Sequence, residues 1–165
     1  MSGTFRVSVS KDYLVFAAAH FITFRGHRCE ALHGHNYRVG VVVEGAIDPE
    51  CHFVVDFGDL KRILRRLVDE LDHRVLLPTG NPKLALEEAD GRLSVSVFGE
   101  PRYVFPVGDC VRLPIPNTTV EMLAEHFAHQ VRAGLDALGH TGMTMLEVEV
   151  EESFGQSSTH RLALA

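Results

Sequence analysis

Cys29-Glu30-Ala31-Leu32-His33-Gly34-His35-Asn36-Tyr37-Arg38-Val39-Gly40-Val41-Val42-Val43-Glu44 is the stretch on which the reading of the fold turns. Tyr37, Val39, Val41 and Val43 alternate with Asn36, Arg38, Gly40, Val42 and Glu44, the period of two that predicts a strand with one apolar face. His33 and His35 share the parity of that face. If the strand begins that early, both rings project from one side toward one point, as two ligands of a single ion must. Imidazole is the commonest neutral ligand for zinc, and a catalytic zinc takes three protein ligands and keeps one position open. The pair therefore needs a third partner, and without one it reads more readily as two ordinary histidines in a turn. Just upstream, Cys29 and Glu30 add a thiol and a carboxylate, both proton-transfer groups.

Working outward, Phe5, Val7 and Val9 alternate with polar residues, and Leu14, Phe16, Ala18 and His20 do so again after Lys11-Asp12. These predict strands joined by a turn or bulge. Leu60, Ile63, Leu64, Leu67, Val68 and Leu71 recur at helical spacing and predict an amphipathic helix over 58–71. The basic residues Lys61, Arg62, Arg65 and Arg66 are its solvated side. A second helix is expected over about 119–138, opened by Thr118 and Glu121 as a capping box. Met145 to Ser153 is the last clear strand, and its apolar parity continues through Val150 to Glu152, which should point inward. A buried carboxylate needs a partner, and paired N–H donors would suit it. Between the helices, residues 78–115 are punctuated by Gly and Pro. Leu93, Val95 and Val97, followed by a turn at Gly99-Glu100-Pro101, predict a hairpin there.

The chain has 165 residues, 45% hydrophobic and 23% charged, which fits one soluble domain over 1–165 with 78–115 as an insert. A net charge of -6 offers no basic footprint for nucleic acid. No apolar run approaches the roughly 18 residues of a membrane helix, and the amino terminus lacks the form of a leader, so no membrane association and a cytoplasmic location are expected. The three cysteines are widely spaced, and free thiols are expected.

Taken together, Phe16-Ala17-Ala18-Ala19-His20, CExxHGHNY at 29–37, Val54-Val55-Asp56-Phe57-Gly58-Asp59-Leu60-Lys61, Leu71-Asp72-His73, Thr119-Val120-Glu121 and Glu152-Ser153 occur in an order that resembles the 6-pyruvoyltetrahydropterin and 6-carboxytetrahydropterin synthase family. The resemblance covers most of the chain outside 78–115. It implies an α+β tunnelling fold, a four-stranded antiparallel sheet with two helices on one face, assembled as a homohexamer of two trimers with active sites between subunits. It also implies Zn²⁺ held by His20, His33 and His35, with His20 as the missing ligand. By itself His20 reads as a core or strand-end histidine.

The resemblance further implies a lyase acting on 7,8-dihydroneopterin triphosphate. Cys29 stands at the position of the family's general base, Asp72 and His73 at that of a proton-exchanging pair from a neighbouring subunit, and Glu152 at that of the pterin anchor. Thr118 and Thr119 would add contacts, although helix capping explains both equally. Three residues between the cysteine and HGH resemble deazapurine-pathway (queuosine-type) enzymes that form 6-carboxy-5,6,7,8-tetrahydropterin. Glu30 directly after the cysteine resembles enzymes that cleave the side chain to 6-hydroxymethyl-7,8-dihydropterin for folate. The first reading, with Cys29 as base and the 6-carboxy or 6-pyruvoyl product, is preferred. Continued alternation would point Cys29 at the metal and Glu30 away, whereas a turn before His33 would cancel that distinction. A non-catalytic pterin-binding homologue is the remaining alternative.

Overall fold

A computed structural model describes residues 3–164. The longest strands are β1 (Phe5–His20) and β2 (His33–Gly45), paired antiparallel from Phe5↔Gly45 to His20↔His33. Their register shifts between Ser10 and Val15. That irregularity is what the two apolar stretches of β1 require: Val9 and Leu14 differ in parity, yet both are buried, so an odd offset must be absorbed between them. The two strands expected from sequence are one.

Helix α1 (Phe57–Leu71) begins at Asp56, whose carboxylate accepts from the backbone N–H groups of Gly58 and Asp59. Its six predicted apolar positions are all buried. After α1 come β3 (Arg74–Pro78), β4 (Leu84–Ala89), β5 (Arg92–Val97), β6 (Glu100–Pro106), a 3₁₀ turn at Val107–Asp109 and β7 (Cys110–Leu113). Helix α2 (Val120–Ala137), β8 (Met143–Ser153) and β9 (Gln156–Ala163) complete the order.

The α+β class holds, with both helices packed on one face of the main sheet, but the four-stranded antiparallel sheet becomes a six-stranded mixed one. Its order is β7-β3-β1-β2-β8-β9. The pairs β1/β2, β2/β8 and β8/β9 are antiparallel, whereas β1/β3 and β3/β7 are parallel. The sequence reading stopped at Ser153 because β9, Gln156-Ser157-Ser158-Thr159-His160-Arg161, is polar along most of its length, as an edge strand can be. The central face packs Phe16, Tyr37, Leu64, Leu123, Phe127 and Val148, among others, into the principal core.

The 78–115 segment is more than a hairpin. It leaves β3, forms the three-stranded sheet β4-β5-β6, and returns to the main sheet as β7 beside β3. Its base is tied by Thr79 N–H to Leu113 O at 2.8 Å and Gly80 N–H to Ile115 O at 3.0 Å. The β5–β6 turn has positive φ at Phe98 and Gly99, and the missed β4–β5 turn has positive φ at Asp90 and Gly91. Asp-Gly is a strong hairpin signal that identifies β4 in retrospect. Leu93, Val95 and Val97 meet Phe21 and Leu77 in a second apolar cluster.

The capping box at Thr118 and Glu121 does not form. Thr119 is the N-cap of α2 and makes no side-chain cap bond, while Thr118 turns inward and its hydroxyl donates to Phe21 O at 2.9 Å. Cys29, Cys51 and Cys110 are all free. Among the described residues no helix is long and apolar enough to cross a membrane.

Candidate metal centre and active site

Strand register assembles the three histidines. His20 lies opposite His33, and Ala18 opposite His35, at the open end of the β1/β2 ladder. Ring centroids are 4.7 Å apart for His20 and His33, 5.2 Å for His20 and His35, and 4.9 Å for His33 and His35. One nitrogen from each falls within 4.8 Å of the others. Gly34 between them faces away, and a Cβ there would lie 3.1 Å from Ala18 O, so a side chain would require the facing strand to give by a few tenths of an ångström.

Two backbone carbonyls set the tautomers. His20 Nδ1 lies 2.8 Å from Thr118 O, and His33 Nδ1 lies 2.9 Å from Ala31 O. A carbonyl only accepts, so each Nδ1 carries the proton and each Nε2 presents a lone pair. Burial holds the His20 imidazole below its ordinary pKa and so in the neutral form, although the Thr118 bond opposes this. His20 Nε2 is buried without a hydrogen-bond partner among the described residues, and Glu152 Oε1 sits 3.4 Å from it and 3.7 Å from His35 Nε2. A lone pair facing a carboxylate is repulsive until a cation lies between or beside them. Three convergent imidazole nitrogens with a nearby carboxylate fit a zinc-type divalent ion.

Glu152 turns inward at the end of β8, where the Tyr37 hydroxyl donates to its Oε1 at 3.3 Å. Burial, then the Glu152 charge, pushes the Tyr37 phenol well above its ordinary range, so it remains a donor. Beyond Glu152, a groove of about 750 Å³ is lined by His35, Asn36, His73, Ser153 and Phe154, among others. That volume suits a small heterocyclic ligand.

The segment before His33 departs from the expected alternation. Residues 30–32 lie outside β2, and Cys29 forms an isolated bridge with Thr23. The Cys29 thiol packs against the second apolar cluster and donates weakly to Glu30 O at 3.4 Å. Burial raises its pKa, outweighing the opposing charge of Arg102. Glu30 instead faces the histidines, with its Oε2 3.9 Å from His33 Nε2. The break in the strand reverses the orientations that unbroken alternation would give. It is held from the insert: Arg102 Nη2 donates to Glu30 O at 2.8 Å, and Leu32 N–H donates to the Tyr103 hydroxyl at 3.1 Å. Sequence reading missed both positioning residues, because contacts 71 and 72 residues apart have no local signal.

Asp72 ends α1, with Oδ1 accepting from Ala17 N–H at 2.8 Å and Oδ2 lying 2.9 Å from His73 Nδ1. The Ala17 bond is the main reason the Asp72 carboxyl lies below its usual range. The His73 side chain is 82% exposed, and no hydrogen bond or ion pair joins this pair to Cys29 or Glu30 among the described residues. Thr118 is committed to Phe21 and His20, so it shapes the site by orienting His20; Thr119 retains a hydroxyl free of any cap bond.

The family model for 6-pyruvoyl tetrahydropterin synthase matches residues 8–162. A Methanocaldococcus jannaschii protein provisionally named 6-carboxy-5,6,7,8-tetrahydropterin synthase is 36% identical over 148 residues, covering 90% of each chain. A dihydroneopterin monophosphate aldolase of Pyrococcus furiosus is 44% identical over 61 residues, 37% of this chain and 50% of that protein. The structure of a Plasmodium vivax 6-pyruvoyltetrahydropterin synthase variant, in which a glutamate described as a catalytic residue is replaced by alanine, superposes with a TM-score of 0.90 at 30% identity, covering 98% of this chain and 99% of that one. The chain belongs to the 6-pyruvoyl tetrahydropterin synthase family, whose enzymes are lyases acting on pterins.

Proposed function

We propose that this chain is a zinc-dependent lyase acting on 7,8-dihydroneopterin triphosphate, with His20, His33 and His35 as the zinc ligands and Glu30 as the principal proton acceptor. The observation that carries this reading is the orientation of the 29–32 segment: Glu30 faces the histidine cluster while the Cys29 thiol packs against apolar side chains. Bound to the three imidazoles, Zn²⁺ supplies Lewis acidity toward the substrate's side-chain hydroxyls. Glu30 takes a hydroxyl proton. A carboxylate is a weak base, better matched to an acidified hydroxyl than to a carbon acid. Loss of that proton lets the hydroxyl oxygen become a carbonyl as the adjacent carbon–carbon bond breaks: the outer two-carbon, triphosphate-bearing fragment leaves as an aldehyde, and the pterin side keeps the electron pair and then takes a proton. The product is 6-hydroxymethyl-7,8-dihydropterin. Glu152, steadied by Tyr37, accepts from the exocyclic amine and ring N–H of the pterin, and Thr119 adds a hydroxyl.

A second reading is favoured by the name of the Methanocaldococcus jannaschii relative. In it Cys29, assisted by the nearby Arg102 charge, removes a carbon-bound proton and 6-carboxy-5,6,7,8-tetrahydropterin or the 6-pyruvoyl compound is formed. In both readings the exposed Asp72–His73 pair serves the site of a neighbouring subunit in a cytoplasmic homohexamer. The exposure of His73 and the outer edges of β7 and β9, unpaired among the described residues, support that assembly.

Mass spectrometry of the products formed from 7,8-dihydroneopterin triphosphate by zinc-loaded protein tests the assignment. The expected main product is 6-hydroxymethyl-7,8-dihydropterin, with Glu30→Gln slowing turnover by roughly 10² or more, the scale of a lost general base, while zinc stays bound. A dominant 6-carboxy product, with Cys29→Ala more damaging than Glu30→Gln, reverses it.

A further inference from the structure

Ligand chemistry gathers at one other place among the described residues. Glu125 and His129 lie one turn apart on α2, and His160 comes from β9, with one donor atom of each within 4.8 Å of the others. The His129 and His160 rings are 6.0 Å apart and tilted by 45°. Residues at i and i+4 share a helix face. His160 has the parity of Leu162, which packs on the principal core beneath α2, so its half-buried imidazole is presented to the helix. Despite this convergence, the three side chains make no hydrogen bond or ion pair among the described residues, with one another or with other groups.

We propose that Glu125, His129 and His160 form a second metal site, separate from the His20/His33/His35 centre, that takes a divalent transition ion of the zinc class. Two imidazoles and one carboxylate are the donor set of borderline ions, whereas calcium and magnesium demand oxygen-rich sites. Ligands about 2.0–2.2 Å from a tetrahedral ion lie about 3.3–3.6 Å from one another, so short side-chain rotations close the observed spacing. Glu125 and His160 are half-buried and His129 is exposed, leaving room for those rotations and for water on the ion. The site's role is mechanical. β9 is an edge strand whose only sheet partner among the described residues is β8, and an ion bridging it to α2 clips that edge to the helix layer.

The site is tested without reference to catalysis. Chelator-stripped protein is dialysed against buffered Zn²⁺, and bound metal is counted by mass spectrometry alongside thermal melting. Wild-type protein should bind about two zinc ions per chain, and Glu125→Gln/His129→Gln/His160→Gln about one, while keeping the ion at the three-histidine centre. His20→Ala/His33→Ala should also bind about one, and its melting temperature should still rise as free zinc increases. Magnesium or calcium at the same concentrations should produce neither effect. About one zinc per chain in wild type, or an undiminished count in the Glu125/His129/His160 variant, overturns the proposal. If His20→Ala/His33→Ala fails to fold, the wild-type and triple-variant counts decide alone.

Discussion

The histidine cluster and the 29–32 segment lie side by side but are built in different ways. The histidines stand on β1 and β2, whose ladder fixes where each side chain points, and two carbonyls lock the tautomers of His20 and His33. The 29–32 segment has no ladder of its own beyond one bridge, and its course depends on Arg102 and Tyr103 reaching in from the small sheet. Metal binding should therefore be a property of the main sheet, and proton transfer a property of the junction between the two sheets.

The strongest test of that division is His20→Ala, which should weaken zinc binding by more than about 100-fold, beyond the loss seen for outer partners of a metal site. Metal analysis that found undiminished zinc at the three-histidine centre would remove His20 from it and break the contrast. Leu93→Ala, in the apolar cluster beneath the insert, should cost about 2–5 kcal/mol if the small sheet unfolds together with the rest of the chain. Hydrogen exchange sharpens this: amides of 29–32 should lose protection before those of 37–43. Arg102→Ala removes the charge-assisted bond to Glu30 O and should lower turnover about 10-fold, on the scale of one such bond, with zinc content unchanged. Equal loss of zinc would show that the two regions are not separable.

The smallest effect concerns Asp72. Its folded pKa lies below the ordinary value, so the stability it contributes is present above an unfolded pKa of about 3.9 and is lost as pH falls through the depressed value. Because the side chain is 38% exposed, solvent screening limits the contribution, and Asp72→Asn should cost less than about 1 kcal/mol at neutral pH. Denaturant unfolding should show that difference fading toward pH 3; a gap that widened there would assign the wrong sign.

How far the sequence could be read follows the same division. Both helices, the paired central strands and the parity that unites His33 with His35 were legible, because periodicity is a local signal that burial of one face imposes. His20 has the expected parity within its own strand, but only the resemblance marks it as a candidate ligand. The strands β3, β7 and β9 were not legible. Two are short and parallel, stabilised by neighbours distant in sequence, and the third is a polar edge. The orientation of Cys29 and Glu30 was beyond reach for a related reason: it is decided by where Arg102 and Tyr103 fall after the chain has travelled around the insert. Thr118 shows the converse error: the capping-box pattern marked the region of the helix start but misread Thr118, whose hydroxyl turns inward and whose carbonyl orients His20.

The tied base of the 78–115 excursion sets how this architecture can change. Its entry and exit run side by side as β3 and β7, so chain can be added or removed beyond that junction at an entropic cost that grows only with the logarithm of its length. The main sheet would not register the change. The 29–32 segment would, because Arg102 and Tyr103, which hold it, belong to the excursion. Grafting this small sheet onto a relative with a shorter connection should thus transplant control over whether the thiol or the carboxylate faces the three histidines, while leaving the histidines' own strands untouched.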